Sequence, residues 1–76
     1  MNRERRKKIS GLIDRLNAIK DEVDEIYEEE SDAYESMPEG LQESERGEMM
    51  QSAIDNLETA SESLGEAIDC LEDAKE

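Results

Sequence analysis

Leucine and alanine return every seven residues through the C-terminal half of this chain. Met50, Leu57, Leu64 and Leu71 form one series, and Ala53, Ala60, Ala67 and Ala74 form another. The fragments Ala53-Ile54-Asp55-Asn56-Leu57 and Ala67-Ile68-Asp69-Cys70-Leu71 are near copies, with Ala60-Ser61-Glu62-Ser63-Leu64 as a polar variant between them. A seven-residue period holds one stripe of an α-helix toward a neighbour, whereas a strand would alternate every two. The period is that of a coiled coil and is too short for a solenoid unit. Alanines let a facing helix come close, because interaxial distance follows side-chain size. The alanine ladder is therefore expected to face a second helix. Gly65 lies inside this helix at a cost of about 1 kcal/mol relative to alanine, and reads as a tolerated surface defect ahead of the alternative, relief of a close helix contact.

The N-terminal half carries a matching pattern. Ile9, Leu12, Leu16, Ile19, Val23, Ile26, Ala33 and Met37 follow 3–4 spacing, with Glu30 as the one polar interruption. Ile13, Tyr27 and Tyr34 flank that seam, and Lys20 breaks the flank. The stripe is wider than a two-stranded seam needs. Glu30 reads as a register-setting or solvated seam residue, with Arg46 as a candidate partner.

Between the halves lies Ser36-Met37-Pro38-Glu39-Gly40-Leu41-Gln42-Glu43-Ser44. Pro38 disfavours helical geometry at Met37 and ends the first helix there. Ser44 suits an N-cap, and Glu45 and Glu48 suit the positive end of a helix dipole. Leu41 is expected to plug the end of the core. So short a connection makes the helices antiparallel neighbours. The expectation is one all-α domain over residues 1–76: a helix over about 3–36, a turn over about 37–43 and a helix over about 44–75, paired as a coiled-coil-like antiparallel hairpin.

A chain of 76 residues buries little on its own, and association commonly supplies the remaining stability. Ile13, Tyr27, Tyr34, Ile54 and Ile68 are expected to form a second seam. Through it two hairpins would dimerise into a four-helix bundle.

Charge is uneven. Residues 1–8 carry five basic side chains and one acid, while residues 9–76 carry four basic and 22 acidic ones. The net charge of −14 opposes nucleic acid and anionic membranes and favours basic partners. The hairpin would set the basic start beside Glu72, Asp73 and Glu76, as a clasp between two helix ends whose charges oppose the dipole. No stretch approaches the roughly 20 apolar residues of a membrane span, and no apolar run follows the basic start as in a secretory signal. A lone Cys70 forms no intrachain disulfide. These features place the chain in the cytoplasm by default.

Catalytic groupings are missing. There is no His, the commonest general base and metal ligand. Cys70 therefore has no imidazole to activate it, and it reads as a small, partly buried side chain. Acids alone, such as Glu28-Glu29-Glu30 or Asp21, Glu22, Asp24 and Glu25, do not reproduce the Glu-x-x-His pairs of di-metal bundles or an EF-hand loop. No enzyme activity, metal or cofactor is expected.

The acids fall into rows. Asp21, Glu25, Glu28, Asp32 and Glu35 recur at 3–4 spacing on the first helix, and Asp55, Glu58, Glu62, Glu66 and Asp69 on the second, where Asp73 extends the row. Each row sets a charge about every 5–6 Å of axis, a density comparable with a strand of duplex nucleic acid. The plain reading is solubilising charge. The sharper one is a surface that enters the basic groove of a nuclease or other nucleic-acid-binding protein.

The segment Met37-Pro38-Glu39-Gly40-Leu41-Gln42-Glu43-Ser44-Glu45-Arg46, followed by the Ala53…Leu57 heptads, resembles small uncharacterised proteins of Gram-positive bacteria, their phages and mobile elements. The resemblance covers most of the chain. It implies a helical hairpin, a phage or mobile-element origin and, by the company such proteins keep, inhibition of a host defence enzyme. It gives no residue-level site. The leading expectation is thus a non-enzymatic acidic binding protein that occupies a basic protein surface. The alternative is a structural or adaptor coiled coil that binds through its apolar flank.

Overall fold

The computed structural model describes residues Met1–Glu76 and is entirely helical. Helix α1 spans Arg3–Glu35, a single turn α2 spans Glu39–Gln42, and α3 spans Glu45–Ala74. Asn2 caps α1, its side-chain oxygen accepting from the Arg5 N–H at 2.8 Å. Ser44 caps α3 by accepting from the Gly47 N–H at 3.3 Å, with Glu45 and Glu48 in the first turn. Both long helices lie within one residue of the expected bounds. The turn differs, because Leu41 and Gln42 N–H groups bond back to the Pro38 carbonyl and wind the connection into α2. The Gln42 side-chain amide then donates to the Tyr34 carbonyl at 2.9 Å and ties α2 to the end of α1.

The helices run antiparallel over their full length. Lys75 reaches Ser10, Gly65 lies against Lys20, and Ser61 bonds Asp24. Each of these pairs has residue numbers that sum to 85, which fixes the register. The result is a rod of 58 × 14 × 12 Å.

Burial shows which stripe of each helix faces the other. On α1 it is Ile9, Ile13, Leu16, Lys20, Val23, Tyr27, Glu30, Tyr34 and, just beyond its end, Met37; on α3 it is Gly47, Met50, Ile54, Leu57, Ser61, Leu64, Ile68 and Leu71. Only Ile13, Ile54 and Ile68, 5–7% exposed, are buried apolar residues.

This overturns several expectations. Ala60, Ala67 and Ala74 are exposed and only Ala53 is half-buried, so the alanine ladder flanks the seam instead of lining it. Ile13, Tyr27, Tyr34, Ile54 and Ile68, expected at an interface between chains, pack inside one hairpin. Ile54 and Ile68 offer far more apolar surface than alanine, so facing them inward buries more. The Leu12, Ile19, Ile26 row expected inside is left outside, 43–50% exposed. Leu41 is 51% exposed and covers the end of the core only in part, and Cys70 is exposed.

Gly47 marks a feature that the sequence did not signal. It is buried where α3 begins beneath α2, and a Cβ at this position would overlap the carbonyl oxygens of Gln42 and Leu41. Gly65 is different. A Cβ there would meet only Lys20 Cε at 3.5 Å, an ordinary contact, so no close approach demands a glycine.

Candidate binding faces

Two long sides remain once the helices have paired, and they differ sharply. On one side a groove is lined by Ser31, Tyr34, Glu35, Gln51 and Ile54. Asp24, Ser61, Lys20 and Gly65 lie along the same side. The Lys20 ammonium pairs with Asp24 at 3.1 Å, the one ion pair in the chain. The Ser61 hydroxyl donates to the other Asp24 oxygen. These bonds favour the charged carboxylate and hold the Asp24 pKa below its ordinary value of 3.8, Ser61 contributing most and Lys20 next.

The predicted acidic rows border this polar side. Asp21, Glu25, Glu28, Asp32 and Glu35 on α1 are all exposed, as are Asp55, Glu58, Glu62, Glu66 and Asp69 on α3. By helical phase both rows occupy the flank next to Asp24 and Gln51 and run onto the back of each helix. Asp21, Glu28 and Glu35 of α1 and Asp55, Glu58, Glu62 and Asp69 of α3 thus lean toward this one side of the rod, across the narrow polar seam, while Glu25, Asp32 and Glu66 point away from the partner helix onto the outer edges. No three of these carboxylates converge on a point that could hold a metal ion.

The opposite side is nearly free of acids. Its groove, near the turn, is lined by Ala33, Met37, Pro38, Leu41, Arg46 and Met50, with Ser36 at its edge. Beyond it runs the exposed series Leu12, Ile19, Ile26, Ala33 on α1. The antiparallel register sets Ala74, Ala67, Ala60 and Ala53 of α3 level with those four. Outside the alanines come Met49, Asn56, Ser63 and Cys70. An α3 stripe of eight successive 3–4 positions thus carries no charge, in a chain of which 42% is charged.

The predicted clasp forms no ion pair. Arg3, Arg5, Arg6, Lys7 and Lys8 share an end of the rod with Glu72, Asp73 and Glu76, but the only side-chain bond between the helices there is Lys75 Nζ to Ser10 Oγ at 3.5 Å. Glu30 is half-buried in the seam and does not pair with Arg46. No helix is long and apolar enough to cross a membrane.

No protein-family model, curated protein or solved structure matches the chain.

Proposed function

We propose that this protein is a non-enzymatic binding protein whose acidic face occupies a basic surface of another protein. The observation that supports the reading is that most of both carboxylate rows lean to one side of an elongated rod. Seven exposed acids there, with Glu25, Asp32 and Glu66 on the adjoining edges, present a ridge of negative charge whose seam cation, Lys20, is paired with Asp24. Such a field attracts a basic groove over several ångströms and raises the association rate. The groove of a nucleic-acid-binding protein fits both its sign and its length, which makes the rod a candidate nucleic-acid mimic. The resemblance of the turn segment implies a phage or mobile-element inhibitor of a host defence enzyme, a role compatible with such a face, and cytoplasmic action as a homodimer belongs to the same proposal.

The test is capture of a partner from the source cell with the full chain as bait, followed by binding measured across a salt series. Affinity should fall steeply between about 50 and 200 mM salt if charge carries the contact. Reversing Glu25, Glu28, Glu58 and Glu62 to Lys should abolish it, and duplex DNA should compete. Unchanged binding by that variant at low salt refutes the reading.

A second reading is favoured by a separate observation, the exposed Leu12, Ile19 and Ile26. A structural or adaptor protein would engage its partner there, and its binding would resist salt.

A further inference from the structure

The apolar flank has a border whose charges are ordered. On α1, the positions one step outward from Leu12, Ile19 and Ile26 are Lys8, Arg15, Glu22 and Glu29. Read along the helix the signs are plus, plus, minus, minus. A row of that kind matches itself when laid head to tail. With two α1 helices antiparallel about Ile19, Leu12 falls level with the partner's Ile26 and Ile19 with the partner's Ile19. The same register sets Lys8 beside the partner's Glu29 and Arg15 beside the partner's Glu22. Every border charge then meets its opposite, twice over by symmetry.

We propose that a second copy of this chain covers the Leu12–Ile19–Ile26 face, about a two-fold axis at Ile19. Self-complementarity is what a two-fold interface requires, and no other sliding of the two rows pairs all four charges. The available area agrees. One long side of a rod of 58 × 14 × 12 Å offers roughly 700–800 Å², close to the ~800 Å² each partner contributes to a standard interface. The neighbouring Ala60, Ala67 and Ala74 are too small to hold the copies apart. The acidic rows lie on the other side and stay uncovered. The dimer deepens the proposal above and shares with it only the oligomeric state, since the acidic face would bind its partner with or without it.

Light scattering and sedimentation equilibrium on the full chain test the inference, with circular dichroism to confirm helicity. Wild type should run at twice the 8.7 kDa chain mass at tens of micromolar. Ile19→Glu, at a position 45% exposed in the hairpin, should be monomeric. The sharper test reverses half the border. Glu22→Lys with Glu29→Lys changes the net charge from −14 to −10, so repulsion between whole molecules alone predicts tighter association. The register predicts the opposite, at least ~10-fold weaker association at low salt, because four cations then face four cations. Adding Lys8→Glu and Arg15→Glu restores −14 and the alternation, and should restore the dimer. A monomeric wild type, a dimeric Ile19→Glu, or a half-reversed variant that associates as tightly as wild type overturns the proposal. Each of these is read without a basic partner and so leaves the acidic-face reading to its own test.

Discussion

Asp24 of α1 accepts a hydrogen bond from the Ser61 hydroxyl of α3, and Lys20 holds its second oxygen from one turn away at 3.1 Å. This cluster is the one polar link between the helices near the middle of the rod, and it carries a pH signature. The folded-state pKa of Asp24 lies below 3.8. The stabilisation is therefore complete above that value and disappears as pH falls through the depressed folded pKa. Ser61→Ala should be less stable than wild type at neutral pH, and the gap should close below about pH 4. Urea melts of both proteins across pH 2.5–7 measure the gap. Taking the difference removes the general gain in stability that protonating the other acids brings to both.

Two glycines in α3 should respond oppositely to the same substitution. Gly65→Ala adds a methyl with ordinary room beside Lys20 and should stabilise by about 1 kcal/mol, raising Tm by several degrees. Gly47→Ala drives a methyl into the Gln42 and Leu41 carbonyls and should cost about 1–3 kcal/mol despite the better helix propensity. Thermal melts in far-ultraviolet circular dichroism decide both.

Truncation should distinguish the seam from the flank. Ile54→Ala and Ile68→Ala each empty a site that is 6–7% exposed and should cost about 2–5 kcal/mol, enough to unfold much of so small a protein. Ile26→Ala, half exposed, should cost well under that in chains too dilute to associate. Denaturant midpoints measured at sub-micromolar concentration test the contrast.

Glu30 holds a seam position with no ion pair. Glu30→Leu should stabilise the hairpin by about 1 kcal/mol, because an apolar side chain there gains burial without desolvating a carboxylate. Equilibrium unfolding checks the sign.

The sequence displayed the helix ends because they depend on local chemistry. Pro38 bars helical geometry before it, and Ser44 with Glu45 and Glu48 starts the next helix within a few residues. Which stripe faces inward depends on the partner helix, and the inward stripe differs from the one the sequence pattern favours. On α1 the Leu12–Ile19–Ile26 row is continuous, whereas the Ile13–Tyr27–Tyr34 row is broken by Lys20. Hydropathy alone prefers the first. The break is repaired only in three dimensions, where the Lys20 stem lies across from Gly65 and Asp24 takes its charge. The same rotation turned the alanine ladder outward. The acidic rows were legible because they are regular, but which of their members lean to a common side follows from the pairing and could not be read from either helix alone.

Only three side chains of the hairpin are buried, so almost no position belongs to the interior alone. In a thicker protein, a mutational scan separates a fragile centre from a permissive skin. Here tolerance should instead rise and fall with a period of seven along each helix, and a change made to retune one side will commonly be felt by the pairing underneath it.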